Sequence, residues 1–154
     1  MKKEFFVIAH NIRSLLNVGS IFRTADAFGV SKIYLTGYTG TPNNPFHRSK
    51  ISKTALGAEN FVAWEHCASA NSLIKRLKSD GVKIVALENN TKAINIHKFK
   101  PKFPLALLLG EEVKGIAKPL LKLCDSTIEI PMVGQKESLN VSVAFGIAAF
   151  KLIS

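Results

Sequence analysis

The sequence predicts an α/β fold with a mainly parallel, six-stranded sheet and helices on both faces. Three observations carry that expectation. Short apolar runs alternate with helix-like segments from one end of the chain to the other. One run, Leu105 to Leu109, holds no polar residue at all, as a central strand covered on both faces requires. Turn-forming residues mark the changes of pattern, as with Gly29, Asp80-Gly81 and Pro131.

In order, Glu4 to Ala9 is the first strand candidate, short and apolar. Asn17 is placed to cap a helix whose inner face is Val18, Ile21, Phe22, Ala25 and Phe28, and Gly29 stands where a left-handed cap would end it. The opposite face holds Gly19, Ser20, Arg23, Asp26 and Ala27, with Arg13 just before the helix. Lys32 to Thr36 is a second strand, and the loop from Gly37 to Arg48 has turn chemistry throughout. A short basic helix then leads to Gly57, and Phe61 to Trp64 is a third strand. Asn71 to Lys78 is an amphipathic helix, and Lys83 to Leu87 a fourth strand. Residues 88 to 104 are polar, basic and weakly patterned, which predicts loop with at most one helical turn. Leu105 to Leu109 is the fifth strand; Ala117 to Leu123 is a short helix with Pro119 in its first turn. Ser126 to Ile130 is the sixth strand, stopped by Pro131. Ser138 and Asn140 are placed to cap a last helix, Val141 to Ile153, whose single charge is Lys151. Its stripe is Val141, Ala144, Phe145, Ala148 and Leu152, with Ser142, Gly146 and Ala149 between. A helix apolar or small nearly all round is buried on most sides, in its own fold or in a subunit contact.

At 154 residues and 47% apolar, the chain suits one compact domain, 1–154, with no appended RNA-binding domain. No apolar run approaches the roughly 20 residues of a membrane span, and the start reads as a strand, not a signal peptide. Cys67 and Cys124 lack disulfide-framework or zinc spacing, and a reducing cytoplasm fits them. No metal is expected, because His10, His47, His66 and His97 show no ligand spacing. Dinucleotide, P-loop and GxSxG fingerprints are missing as well. The formal charge of +10 favours a polyanionic partner such as nucleic acid. Its denser groups are His47, Arg48, Lys50, Lys53 and Lys98, Lys100, Lys102.

Ligands of parallel sheets bind beyond the carboxyl ends of the strands, here loops 10–17, 37–47, 110–115 and 131–138. Asn17 and Arg23, Glu112, and Ser138 with Asn140 all lie in or just after these loops, so a shared pocket is inferred.

Three stretches in order, NVGSIFRTAD at Asn17 to Asp26, LLLGEEVKGI at Leu107 to Ile116 and IEIPMVGQKESLNVSVA at Ile128 to Ala144, resemble the signature motifs of the SpoU branch of the SPOUT RNA methyltransferases. TALGAE at Thr54 to Glu59 is similar to a weaker family element. The resemblance implies a C-terminal deep trefoil knot, a homodimer, and S-adenosylmethionine as cofactor for methylation of a ribose 2′-hydroxyl in RNA, tRNA ahead of rRNA. A protein of the same fold that binds RNA with little or no catalysis is the alternative. By the same resemblance, Arg23, Asn17, Glu112, Ser138 and Asn140 are the catalytic group. Cofactor contacts fall to Leu109, Gly110, Glu111, Gly115, Ile130, Met132, Ser138, Leu139 and Asn140, with Gly110 allowing close approach of backbone to ligand. RNA is expected on Arg13, Arg48, Lys50 and Lys53, through phosphates. Glu111 departs from the small or amide residue that many relatives carry, within an intact GxExxG frame. Each assignment has a plainer counterpart: Arg23 paired with Asp26 or Glu112, Glu112 facing a helix dipole, Ser138 and Asn140 as caps.

Overall fold

The computed structural model describes residues 3–154. Among these residues the sheet has seven strands, all pairings parallel, in the order β3-β2-β1-β6-β4-β7-β5. They are β1 Phe5–His10, β2 Lys32–Thr36, β3 Trp64–Cys67, β4 Lys83–Leu87, β5 Ile94–Asn95, β6 Leu105–Leu109 and β7 Ser126–Glu129. The helices are α1 Leu15–Ala27, α2 Arg48–Ala55, α3 Ala70–Ser79, α4 Lys118–Leu121 and α5 Val141–Ile153.

Strand alternation sorts the core into two layers. Val7, Ala9, Ile33, Leu35, Leu105, Leu107 and Leu109 face α1, α2 and α5, where they meet Ile21, Phe22, Ile51, Phe145 and Leu152. Ile8, Tyr34, Ile84, Ala86, Ala106 and Leu108 face α3 and α4, against Leu73, Ile74, Leu77 and Leu120. All five residues of β6 are buried, which is why that strand carries no polar side chain. Each large side chain so buried stabilises the fold by about 1.5–3 kcal/mol. Truncating Leu107 to alanine is the single change most directly aimed at this centre, at a cost of about 2–5 kcal/mol.

Four expectations need correction. The sheet has a seventh strand, β5, in the stretch read as loop; two residues are too few to carry a period, and only pairing with β7 makes them a strand. Strand β3 begins at Trp64, not Phe61: Ala58–Asn60 form a 3-10 turn, and Phe61 is 80% exposed. The N-cap of α1 is Ser14, whose hydroxyl accepts from the Asn17 N–H at 3.1 Å, so the helix starts earlier and frees the Asn17 side chain. Finally, α5 is buried on one side only. Phe145, Ala148, Ala149 and Leu152 are inside, whereas Val143, Ile147 and Phe150 are 50%, 42% and 63% exposed.

Candidate active site at the carboxyl ends of the strands

The three motif segments meet beyond the ends of β1, β6 and β7, and polar side chains hold them together. The Glu112 carboxylate accepts from the backbone N–H groups of Arg13 and Ser14, both at 2.9 Å, and from the Asn17 amide at 3.1 Å. The Asn17 side-chain Oδ1 in turn accepts from the Asn140 side-chain amide at 3.2 Å. Asn140 caps α5, its side-chain Oδ1 accepting from the N–H groups of Ser142 and Val143 at 2.9 and 3.3 Å. One continuous chain of hydrogen bonds therefore links residues from all three segments. Burial alone would raise the Glu112 pKa; the donors from Arg13, Ser14, its own backbone and Asn17 outweigh that and hold it below the ordinary value. The carboxylate is charged at neutral pH and committed as an acceptor, so it organises the loops.

Beside this chain lies an open cleft of about 230 Å3. Its lining includes Leu109, Gly110, Glu111, Gly115, Ile130, Met132, Ser138 and Leu139, eight of the nine residues expected at a cofactor; Asn140, the ninth, stays outside and caps α5. Of the expected catalytic group, Glu112 and Ser138 reach the cleft, while Asn17, Asn140 and Arg23 do not line it. Ser138 is no cap: Asn140 fills that role alone. Gly110 is needed for a different approach than expected, because a side chain there would run into Gly115 backbone and Ile116. Arg23 is exposed on the outer flank of α1 and, among the described residues, forms no ion pair with Asp26 or Glu112. Arg13 lines a second opening nearby, and Arg48, Lys50 and Lys53 are exposed on α2.

Residues 4–150 match the SpoU rRNA Methylase family. The chain belongs to this family. Its SpoU frame is 30% identical over 151 residues to a tRNA (guanosine(18)-2′-O)-methyltransferase of Aquifex aeolicus, covering 97% of this chain and 69% of that protein. It is 33% identical to a 23S rRNA (guanosine-2′-O-)-methyltransferase of Vibrio parahaemolyticus, over 89% of this chain and 53% of the relative. An AdoMet-bound rRNA methyltransferase from Sinorhizobium meliloti superposes with a TM-score of 0.88 at 28% identity, over 97% of this chain and 56% of that one. The chain thus spans between about half and two thirds of the length of these relatives.

Within the SpoU frame the structure adds residues that sequence reasoning missed. Glu88, just past β4, accepts from the Ile116 N–H at 2.6 Å and shapes the 110–116 turn. Asn89 donates to the carbonyls of Ile130 and Glu137 at 3.4 and 3.3 Å and so ties β4 to the 131–139 loop. The rule that ligands sit at strand carboxyl ends applied to β4 as well, and would have found both. His10 and the two cysteines lie outside this hydrogen-bond chain. Burial lowers the His10 pKa, and its ring contacts the Thr36 hydroxyl at 2.9 Å. Cys124 is pushed up to about 11 by burial and by Asp125, and Cys67 is raised by burial and by Glu65, so both thiols stay protonated. No His, Cys, Asp or Glu cluster among the described residues could hold a metal, and no helix is long and apolar enough to cross a membrane.

Proposed function

We propose that this chain transfers the methyl group of S-adenosylmethionine to a ribose 2′-hydroxyl in RNA, with tRNA preferred over rRNA, in the cytoplasm. The observation that carries the reading is the Glu112–Asn17–Asn140 chain, which locks three distant segments around one cleft. The cleft suits a donor with an apolar base and a cationic sulfonium. Leu87, Leu109, Leu139 and Ala144 offer apolar wall, Glu88, Glu111, Glu112 and Glu137 set against the single Lys114 leave it net negative, and Gly110 and Gly115 leave room for close approach. When bound, the donor supplies an electrophilic methyl on a sulfonium sulfur. Residues 109–115 and 130–139 would hold it, while Glu112 fixes the loop against which the RNA ribose must sit.

Arg23 serves as the positioning and activating group for the 2′-oxygen, although it lies outside the cleft of its own chain. An arginine keeps its proton to above about pH 12, so it acts as a cation that holds a phosphate and stabilises the oxygen as its proton leaves to water. We infer a homodimer that completes the site. Val141 and Ala144 of α5 line the cleft, and the neighbouring Val143, Ile147 and Phe150, with Leu16 of α1, form an exposed apolar surface. In the dimer proposed, Arg23 of one protomer serves the cleft of its partner, as its exposed position outside its own cleft requires. The trefoil knot belongs to the same proposal. It is supported by β6 inserting between β1 and β4, and by the return of the chain from β7 to pack α5 on α1.

The test is transfer of labelled methyl from S-adenosylmethionine to bulk tRNA and rRNA, followed by digestion to nucleosides. The expected products are 2′-O-methyl nucleosides; base-methylated products overturn the reaction assigned. Arg23→Ala is expected to lower transfer by about 100-fold or more with donor binding unchanged. Full activity in that variant would remove Arg23 from the mechanism, and a monomeric mass at micromolar concentration would remove the dimer.

A further inference from the structure

A second opening, of about 490 Å3, adjoins the first and is lined by Asn11, Arg13, Tyr38, Glu111 and Lys114. Glu111 and Lys114 line both, so whatever occupies the second sits directly against the occupant of the first. Its most exposed apolar surface is the ring of Tyr38, 55% accessible at the tip of the turn after β2.

That ring stands on a firmly built turn. Asn11 and Gly37 both adopt left-handed backbone, with φ of 54° and 62°, a conformation that asparagine and glycine tolerate best. The two residues touch, and the Asn11 side-chain amide oxygen, Oδ1, accepts from the Tyr38 N–H at 3.1 Å. Asn11 N–H donates to the Thr36 carbonyl at 3.2 Å. Just beyond, the buried Thr39 hydroxyl donates to the Ala9 carbonyl at 2.9 Å and accepts from the Ile12 N–H at 3.0 Å. The His66 ring contacts the Gly37 carbonyl at 3.2 Å. Asn11, Thr36, Thr39 and His66 thus restrain one turn whose outermost side chain, Tyr38, is more than half exposed. The turn therefore holds the Tyr38 ring at a fixed place in the wall of the opening.

The flanking charges identify the ligand class. Arg13 and Lys114 are both exposed at the opening, and Glu111 is the carboxylate on the wall shared with the first cleft. Two cations, one carboxylate and an aromatic face do not suit a polyphosphate. They suit an unpaired nucleotide: base on the ring, phosphate between the cations, and sugar turned toward the neighbouring cleft. Arg13 is held from behind, because its own backbone N–H donates to Glu112. The same carboxylate therefore places both openings.

We propose that the opening formed by Tyr38, Arg13 and Lys114 is the subsite for the nucleotide to be methylated, with Tyr38 as its stacking platform. The proposal rests on the methyl-transfer reading of the adjacent cleft and adds the residues that present the acceptor to it. It implies an unpaired or flipped-out target, since a base stacked inside a helix has no face free for the ring.

The test is filter binding of bulk tRNA to the full chain, with and without S-adenosylmethionine, across a salt series, beside labelled-methyl transfer. Tyr38→Ala is expected to weaken RNA binding about ten- to a hundred-fold, while Tyr38→Phe and Tyr38→Trp stay near the unaltered protein. Arg13→Gln and Lys114→Gln are each expected to reduce the salt slope by about one. Calorimetric binding of S-adenosylmethionine by the Tyr38 variants is expected to match the unaltered chain. RNA binding by Tyr38→Ala equal to the unaltered protein overturns the platform, as does a phenylalanine variant as weak as the alanine one. If methyl transfer proceeds and Tyr38→Ala binds normally, the subsite fails and the reaction stands. If Tyr38→Ala weakens binding but no RNA is methylated, Tyr38 stands as an RNA-stacking residue, while the reaction and the acceptor role of the opening both fail. Absence of any tRNA or rRNA binding overturns both.

Discussion

Two glutamates, one at the centre of the carboxyl-end loops and one on the edge strand, are both held below the ordinary carboxylate pKa, yet by opposite means. Glu65 on β3 meets cations: Lys32 Nζ at 2.7 Å and an Arg76 guanidinium nitrogen at 3.1 Å, with the Cys67 thiol as a further donor. The Lys32 hydrogen bond comes first, followed by those from Cys67 and Arg76, and together they bring Glu65 to about 2. Among the described residues Glu112 meets no cation; its donors are neutral backbone N–H groups and one amide. The larger shift belongs to the less consequential residue. Glu65 and its partners are between about a third and a half exposed, where an ion pair contributes little and salt screens it. Glu112 joins segments about a hundred residues apart, and among the described residues it is the one side chain that accepts from Arg13, Ser14 and Asn17 together. A perturbed pKa therefore marks charge environment; the identity of the donors marks what the residue holds together.

The largest effect that would sharpen this contrast is Glu112→Ala. Three donors lose their acceptor, so stability is expected to fall by about 1–3 kcal/mol in urea unfolding, and methyl transfer by about 100-fold through misplaced loops. A variant that unfolds with the unaltered protein would break the comparison. Next, Asn140→Ala removes the α5 cap and the link to Asn17, at about 1 kcal/mol. A double-mutant cycle with Asn17→Ala is expected to show coupling above about 0.5 kcal/mol; simple additivity would mean the chain of hydrogen bonds is not a unit. Glu65→Gln is expected to cost no more than about 1 kcal/mol at low salt and nothing measurable in 1 M salt, where the Glu112→Ala penalty persists. The smallest effect is in pH. Because the folded Glu65 pKa is depressed from 4.5 to about 2, its contribution is complete above 4.5 and disappears as pH falls through about 2. Glu65→Gln should flatten only a minor part of the acid unfolding curve in that window, and a large flattening would reverse the ranking of the two residues.

Much of the frame was legible in residue order. The spans of β2, β4, β6 and α5 follow the apolar pattern to the residue, because each is a run long enough to state its own period. β3 was displaced toward Phe61, which proves to be exposed, and β5 was invisible because its pairing partner is more than thirty residues away. At the site, the residue types of the three motifs announced themselves, and eight of nine expected cofactor positions line the cleft. The Tyr38 turn did not, since nothing local distinguishes an anchored aromatic from an idle one.

Sequence by itself determined the alternation of strands and helices, the fully apolar β6, the cap at Asn140 and the basic charge, all of which depend on neighbours within a few residues. Tertiary structure alone decided that Glu112 spends its charge on Arg13, Ser14 and Asn17, that Arg23 stands outside its own cleft, and that α5 leaves one apolar side uncovered. The reason is range. Periodicity and capping act over a helical turn, whereas a hydrogen bond between residues 17 and 140 is specified only once the sheet has brought their segments together.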